Sequence, residues 1–358
     1  MKKRVLAMVL GLTMLVSIFA VGCTKDEAKA DFKAGFVYIG PTNDNGWTTA
    51  HDVARLELEK QLGIETAYVE LVAEDEAAVK DAVTNLIDVG CNIIFTTSFG
   101  YMEPTVALAA EYPDLYFLHC SGYMMSENLG TYFGRIYEPR FLSGIVAGMK
   151  TTSNEIGYVA AMNIPEVVRG INAFTLGVKM VNPDATVNVR WTNTWIDPAK
   201  AKEAAEALLA EGCDVITQHQ DSPGPLIAAE EKGAFAIGYD YPLTDVAPGS
   251  YMTAPVFNWS VYYVDIVKQI MDGKFVSASY WEGLNSGVVA LAPMTDLVPA
   301  EAKTLVNEYE AKIKDGSFFV FEGEIKDNTG AVKVPAGTKM TDGEMLSMDW
   351  FVEGVKSN

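Results

Sequence analysis

Residues 88–100 read DVGCNIIFTTSFG, and residues 210–222 read AEGCDVITQHQDS. Each stretch gives, in the same order, the end of a helix, a Gly-Cys pair, a hydrophobic strand and a polar loop. The repeat indicates that the chain has two halves of related topology. Independent convergence is the alternative explanation, because αβ turns favour glycine in any case.

Strand and helix patterns alternate on either side of these two stretches. Such alternation predicts parallel sheets covered by helices on both faces, which is an α/β fold. A chain of 358 residues is too long for one ordinary core, so we predict two doubly wound, Rossmann-like lobes. The predicted strands cover residues 35–39, 67–71, 93–97, 115–118, 156–160, 187–191, 214–217 and 234–238. The predicted helices cover residues 47–62, 74–89, 141–149, 167–180, 198–211 and 225–232.

The N-terminus has the pattern of a secretory signal. Three basic residues at positions 2–4 precede an apolar run over 5–20, which is shorter than the ~20 residues that span a bilayer. Ala20-Val21-Gly22-Cys23 resembles a bacterial lipobox, with alanine where leucine is usual. We therefore expect a signal peptide over 1–22, lipidation of Cys23, a polar tether over 23–33 and a location on the extracytoplasmic side of the cell membrane. The alternative is an ordinary signal peptide that happens to contain a cysteine.

The net charge and the cysteine count exclude several kinds of partner. Without its first 22 residues the chain has 24 Lys and Arg against 47 Asp and Glu, a formal charge of −23. So acidic a protein repels phosphate backbones, so we expect no nucleic-acid partner, and general electrostatics would also disfavour a highly anionic ligand. There is no CxxC pair and the three histidines are far apart in sequence. We therefore expect no structural zinc and no cofactor.

Polar and aromatic residues follow the predicted strands. Ligands of doubly wound sheets bind beyond the carboxyl ends of the strands, a rule that selects the loops 40–47, 97–101, 163–167, 218–222 and 239–241. Aromatic faces and carboxylates suit a flat polar ligand, and they would suit a sugar nearly as well. Core packing of the aromatic residues and helix capping by Asp44 and Asp221 are the structural alternatives. The candidate ligand-binding residues of these loops are Asp44, Trp47, Ser98, Phe99, Tyr101, His219, Gln220, Asp221, Tyr239 and Asp240.

One further acidic residue lies outside these loops. Glu138 precedes the apolar helix predicted over 141–149 and has Arg135 and Arg140 as neighbours. It either contacts the ligand, or balances the arginines or the helix N-terminus. Enzyme motifs such as G-x-S-x-G, the P-loop and H-E-x-x-H do not occur. His219 near Asp221 is compatible with a general base but has no identifiable nucleophile or metal, so we expect no enzyme.

Five stretches taken in order resemble the basic membrane protein (BMP) family of ABC-transporter substrate-binding lipoproteins, whose characterised relatives include purine-nucleoside receptors. The resemblance runs from about residue 34 to residue 356. It implies the type I periplasmic-binding fold, with three crossover segments and a ligand in the cleft between the lobes. Lobe 1 would comprise 34–155 with about 257–293, and lobe 2 would comprise 156–256 with about 294–358. The stretches are GFVYIGPTNDNGWTTAHDVARLELEKQLG (35–63), IIFTTSFGYMEPTVALAAEYPDLYFLH (93–119), NIPEVVRGINAFTLGVKMVNPDATVNVRW (163–191), DVITQHQDS (214–222) and FVEGVK (351–356).

The resemblance also assigns roles to single residues. Trp47 stands where the family places an aromatic ring that stacks on the purine, and Glu138 and Asp240 stand at acidic positions. Asn258 and Trp259 lie in the last crossover region, where nucleoside-binding relatives have a lysine contact that this chain lacks. The first loop, DNGWT at 44–48, also departs from the D-x-S-F-N of those relatives. Both departures favour a free base such as adenine over a nucleoside.

These observations lead to one main hypothesis and two alternatives. The main hypothesis is a monomeric, lipid-anchored binding protein that captures a purine base or nucleoside and delivers it to the permease of an ABC importer. The first alternative is the same fold with a sugar or signalling molecule, acting as a chemoreceptor or sensor subunit. The second is a surface hydrolase.

Overall fold

The computed structural model describes residues 32–357. The predicted signal peptide, the lipidation site Cys23 and nearly all of the predicted tether lie outside the described residues. Within the described part of the chain, no helix is both long enough and apolar enough to cross a bilayer.

Strands and helices alternate along most of the chain, as the sequence predicts. The strands are β1 (Lys33–Val37), β2 (Glu65–Val69), β3 (Ile93–Thr96), β4 (Tyr116–Cys120), β5 (Leu129–Gly134), β6 (Glu155–Ala160), β7 (Thr186–Trp191), β8 (Val215–His219), β9 (Phe235–Ile237), β10 (Tyr251–Thr253), β11 (Pro255–Phe257), β12 (Ser279–Glu282), β13 (Val289–Leu291), β14 (Ile325–Lys326), β15 (Val332–Val334) and β16 (Val355–Ser357). The helices are α1 (Trp47–Leu62), α2 (Glu76–Asp88), α3 (Met102–Glu111), α4 (Tyr137–Lys150), α5 (Pro165–Val181), α6 (Pro198–Ala210), α7 (Gly224–Lys232), α8 (Ser260–Met271), α9 (Ala300–Lys314) and α10 (Asp342–Leu346).

Two six-stranded parallel sheets form the two lobes. The first has the strand order β12-β5-β4-β3-β1-β2 and the second has the order β10-β9-β8-β6-β7-β16. The chain leaves the first sheet after β5, returns to it at β12 and ends in the second sheet at β16, so it crosses between the sheets three times. This confirms the predicted α/β fold of two doubly wound lobes with three crossovers. The lobe boundaries given above stay a prediction.

Both faces of the first sheet are buried, as the hydrophobic runs predict. Phe36 belongs to the cluster that contains Leu58 of α1 and Tyr263 of α8. The next residue, Val37, belongs to a separate cluster with α2 and α3. Successive side chains of a strand point to opposite faces, so helices cover this sheet on both sides.

Helix α4 starts earlier than the sequence predicts and packs directly on α5. It begins at Tyr137 instead of residue 141, because Pro139 is tolerated in a first turn, where a backbone N–H needs no partner. A Cβ at Gly144 would lie 2.0 Å from the carbonyl oxygen of Phe174, so the two backbones touch and only glycine fits. The earlier start places Glu138 and Arg140 within the first turn of α4.

The strands β1 and β2 are each displaced by two residues from the predicted positions. The ladder pairs Lys33–Val37 with Glu65–Val69, whereas the hydrophobic pattern gave 35–39 and 67–71. Hydrophobicity locates a buried run but not the register at which its partner begins. The displacement leaves Tyr38 and Ile39 beyond the end of β1, and Ile39 is therefore free to line a pocket.

Candidate functional site

A pocket lies where the carboxyl ends of the two sheets face each other. Together with the solvent at its mouth, it contains about 330 Å³ of space free of protein atoms. Both lobes contribute to its walls, and each lining residue follows the carboxyl end of a strand or is the last residue of one, as expected for doubly wound sheets. We call this pocket the slot. Its lining residues are Ile39, Trp47, Ser98, Phe99 and Ser121 from the first lobe, and Glu166, Trp195, His219, Asp221 and Tyr239 from the second.

The indole of Trp47 is held in place by its surroundings. Its Nε1 donates a hydrogen bond of 2.7 Å to the carbonyl of Thr97, and only 7% of the residue is exposed. Asp44 organises the start of the same helix, α1. Its carboxylate accepts hydrogen bonds from the backbone N–H groups of Gly46, Thr48 and Thr49 and from the Thr49 hydroxyl. Asp44 thus supports Trp47 by capping α1 and does not itself line the slot.

A stack of rings supports Trp47 from behind. The Phe257 ring stacks on Trp259 with centroids 4.3 Å apart, and Trp259 stacks on His51 at 4.8 Å. Trp47 meets both Phe257 and Trp259 nearly edge-on. Edge-to-face and offset contacts are the favourable geometries for aromatic pairs. Trp259 therefore belongs to the core beneath the slot.

His219 and Tyr239 form part of the opposite wall. The Tyr239 hydroxyl lies 3.2 Å from Nε2 of His219, and a carboxylate oxygen of Glu166 lies 3.5 Å from the same nitrogen. Burial, more than any other cause, lowers the pKa of His219 to about 4. The imidazole is consequently neutral near pH 7 and can donate one hydrogen bond and accept another.

Asp221 is the acid that faces the slot. Its backbone N–H donates to the carbonyl of Trp195, and its carboxyl makes no hydrogen bond within the described residues. Burial raises its pKa well above the usual value, and the charges of Asp44 and Glu166 add to this effect. A ligand donor would relieve both the missing hydrogen bond and part of the repulsion.

The two lobes touch beside Asp221. A Cβ at Gly46 would lie 2.7 Å from the carbonyl oxygen of Asp221, so the first loop of lobe 1 leaves no room for a side chain here. The glycine of the DNGWT loop therefore permits close approach of the lobes over the slot.

Seven of the predicted site residues do not line the slot, and three of them lie in the core or on the surface. Tyr101 is fully buried, with its hydroxyl donating to the carbonyl of Val72. Asn258 is exposed and its side-chain oxygen accepts from Ser260. Trp259 is the core residue described above. The side chain of a residue that follows a strand can point either into the cleft or into the core.

The others are Asp44, described above, and three residues with partners or surroundings elsewhere. Glu138 accepts a hydrogen bond of 2.7 Å from the backbone N–H of Leu284, just after β12, where the chain begins its third crossing between the sheets. Gln220 donates to the hydroxyl of Thr192. Asp240 is fully buried, and neither carboxyl oxygen has a hydrogen-bond partner within the described residues.

Sequence reasoning selected six of the lining residues and omitted four. Trp47, Ser98, Phe99, His219, Asp221 and Tyr239 line the slot as expected of candidates, and their contact with a ligand stays a prediction. Glu166 was within a selected loop, 163–167, but was not chosen. Ser121 and Trp195 follow β4 and β7, so the same strand-end rule would have found them.

The described residues show no sign of a metal centre. Within them, no group of three or more His, Cys, Asp or Glu side chains is arranged to hold a metal ion. Cys91, Cys120 and Cys213 are free thiols, and all three are buried. Burial raises the pKa of Cys91 to about 11, so its thiol stays protonated near pH 7.

The fold, two doubly wound lobes with a slot between them, is the periplasmic-binding-protein-like fold. Among solved structures, an ABC-transporter solute-binding protein from Aeropyrum pernix K1 has the same fold, with a TM-score of 0.71 and 20% identity, covering 83% of this chain and 93% of that one. Residues 32–329 match the Bmp family model, described as ABC transporter substrate-binding protein PnrA-like. The chain belongs to this family, which confirms the resemblance noted from its motifs.

Two relatives show how far family membership limits the identity of the ligand. A purine-binding protein of Brucella abortus (strain 2308) is 42% identical over 331 residues, covering 92% of this chain and 94% of the relative. A Haloferax volcanii protein, provisionally named as an ABC transporter glucose-binding protein, is 43% identical over 293 residues, covering 81% and 74%. The family therefore establishes a substrate-binding protein of an ABC transporter, while two relatives of nearly equal identity carry different ligand names.

Proposed function

We propose that this protein captures a free purine base, with adenine the favoured ligand, and delivers it to the permease of an ABC importer. The observation that carries the proposal is the slot. Aromatic side chains line it from both lobes, Trp47 and Phe99 on one side and Trp195 and Tyr239 on the other, and its acidic lining residues are Glu166 and Asp221.

The aromatic residues suit a flat heterocycle. Rings contributed by opposite lobes can cover both faces of a planar ligand when the lobes are together. A purine has about ten heavy atoms, and the best small ligands gain about −1.5 kcal/mol per atom. Micromolar to nanomolar affinity, about −8 to −12 kcal/mol, is within that bound if both faces are covered and most edge atoms are paired.

The charges favour an uncharged ligand that donates hydrogen bonds. No lysine or arginine is among the residues that line the slot, so a phosphate would meet repulsion without a counter-charge. The carboxyl groups of Asp221 and Glu166 and the hydroxyls of Ser98 and Ser121 can accept hydrogen bonds. An amino group and a ring N–H supply such donors on adenine.

The first-loop sequence favours a base over a nucleoside, because DNGWT at 44–48 departs from the D-x-S-F-N expected of nucleoside-binding relatives. Glucose is the second candidate, because a relative of equal identity carries that name and because acids and aromatic faces also suit a sugar.

Titration calorimetry with adenine, guanine, hypoxanthine, adenosine and glucose tests the proposal. We expect adenine to bind at micromolar concentration or tighter and more strongly than adenosine or glucose. Trp47→Leu should weaken adenine binding roughly 5- to 150-fold, the usual value of one stacked base. Trp350→Leu, a tryptophan outside the slot lining, is the matched control. Binding of glucose without binding of any purine would overturn the ligand assignment.

We also propose that the protein is a monomer anchored through lipid on Cys23 at the extracytoplasmic side, and that it binds its ligand without turnover. The sequence Ala20-Val21-Gly22-Cys23 supports the anchor. Cys23→Ala should move the protein from the detergent phase to the aqueous phase in a phase-partition assay, and an unchanged distribution would contradict the anchor. Bound ligand should be recovered chemically unchanged after prolonged incubation.

A further inference from the structure

Arg140 is a fully buried cation without an ion-pair partner within 4.0 Å in the described residues. It lies in the first turn of α4. One of its guanidinium nitrogens, Nη1, donates a hydrogen bond of 2.7 Å to the carbonyl of Gln218. The other two, Nε and Nη2, have no hydrogen-bond partner within the described residues. An uncompensated buried charge is costly, so its presence requires an explanation.

The contacts of Arg140 all lie beneath the second-lobe wall of the slot. Gln218 immediately precedes His219 in β8, so the hydrogen bond fixes the strand end from which His219 and Asp221 project. The guanidinium also lies 3.8 Å from the centre of the Tyr239 ring. Cation–π contacts at this distance are attractive, and more so when desolvated. A single side chain therefore supports two ligand-facing loops from below.

Asp240 is the complementary group. It is fully buried, both carboxyl oxygens lack hydrogen-bond partners within the described residues, and its φ of 65° is in the left-handed region. A non-glycine residue in this conformation is strained, and such strain is found at functional positions. Arg140 is the cation that lowers the pKa of Asp240, against a larger rise from burial and from Asp221.

Three polar atoms without partners surround one small space beside α5. A Cβ at Gly170 would lie 3.6 Å from the Tyr158 hydroxyl and 3.8 Å from both Nε of Arg140 and Nδ1 of His219. Arg140 and His219 therefore approach each other from different elements, which gives the cation direct electrostatic influence on the imidazole.

We propose that Arg140 is a positioning residue for the ligand site: its hydrogen bond to Gln218 and its contact with the Tyr239 ring hold the His219 and Tyr239 loops in place, and its positive charge acts on the nearby His219 imidazole. The link to ligand binding rests on the proposed function. The expected effect of Arg140 on the His219 pKa does not depend on the ligand, so either part of the proposal can be refuted without the other.

Titratable groups from several elements share this environment. They are Tyr158 from β6, Glu166 and Arg169 from α5, His219 from β8, Asp221 from the loop after β8, and Tyr239 and Asp240 from the loop after β9. Arg140 and Arg169 both lower the pKa of His219, whereas Glu166 raises it. Removing the charge of Arg140 alone should therefore raise the pKa of His219.

An NMR titration of the ligand-free protein tests this charge role. The chain has three histidines, so His51 and His119 serve as internal references. We expect the His219 pKa to rise by about one unit in Arg140→Met, to stay near its original value in Arg140→Lys, and not to move in Arg190→Met, the surface control. If Arg140→Met is too unstable, Arg140→Gln removes the charge and keeps a donor for Gln218. An unchanged His219 pKa in the neutral variant would overturn the charge role.

Adenine calorimetry on the same variants tests the positioning role. Arg140→Lys should lose about tenfold or more in affinity, because an ammonium cannot reproduce the planar contact with Tyr239 together with the Gln218 hydrogen bond. Arg140→Met should also bind adenine more weakly. Its adenine affinity should change at a higher pH than that of the wild type, because the pKa of His219 is expected to be higher in this variant. Wild-type affinity in the lysine variant would overturn the positioning role. If adenine does not bind the wild-type protein, the ligand assignment fails and the NMR result still decides the charge role.

Discussion

Glu138 should make the protein less stable as the pH rises from about 4.5 to 7. Its side chain lies in the first turn of α4 and accepts a hydrogen bond from Leu284. Burial raises its pKa from 4.5 to about 7, although the Leu284 hydrogen bond and the charge of Arg135 act in the opposite direction. The folded protein therefore holds this proton in a pH range where the unfolded chain has released it.

The sign and size of the effect follow from that shift. The stabilising contribution is complete below pH 4.5 and is lost as the pH rises through 7, because ionisation of the buried carboxyl disfavours the folded state. A difference of about 2.5 pKa units corresponds to at most about 3 kcal/mol at 1.36 kcal/mol per unit. In Glu138→Gln the side chain is neutral at every pH and can still accept from Leu284. The variant should match the wild type at pH 4.5 and exceed it by up to this amount at pH 8.

Urea denaturation of both proteins between pH 4.5 and 8 measures the difference in the free energy of unfolding. Glu344→Gln is an informative control, since hydrogen bonds from Thr341 lower the pKa of Glu344. Its difference from the wild type should stay constant over this range. Parallel stability curves for the wild type and Glu138→Gln would refute the reasoning.

Three further predictions concern packing, capping and thiol reactivity. Gly144→Ala should lower stability by about 1–3 kcal/mol or more in thermal or urea unfolding, because the new Cβ would overlap the carbonyl of Phe174. Gly343→Ala, with open space around it, should leave stability unchanged. Asp44→Ala should cost about 0.5–2 kcal/mol through loss of the α1 cap, and an unchanged unfolding midpoint would contradict the capping role. Thiol reagents at pH 8 should label the three described cysteines, Cys91, Cys120 and Cys213, only after unfolding. Rapid labelling of the native protein would contradict their burial.

The central strands were predictable because their information is local. The stretches 88–100 and 210–222 contain β3 and β8, which lie inside the two sheets and are hydrophobic throughout. The strands β12 and β16 were not predicted as strands. Each is three or four residues long and joins a sheet whose other strands are distant in sequence, so tertiary pairing and not local pattern defines it.

The site was only half predictable for a related reason. Asp44 and Asp221 are the same residue type in equivalent loops, yet one caps a helix and the other faces the slot. Likewise, Trp47 lines the slot, whereas Trp259 lies in the core. The strand-end rule identifies the loops, but the direction of each side chain depends on neighbours from other parts of the chain. The sequence carries no local signal for the role of Arg140, because its partners, Gln218 and Tyr239, are about 80 and 100 residues away.

The distribution of indoles gives the protein a built-in optical reporter. Trp47 and Trp195 face the slot from opposite lobes, whereas Trp259 is fully buried in the ring stack. A stacked heterocycle should quench the emission of the first two and leave the blue-shifted emission of the third largely unchanged. A ligand enclosed between the lobes would alter both facing indoles at once, over the emission of the four tryptophans outside the slot lining, so an emission spectrum should report occupancy without any attached dye.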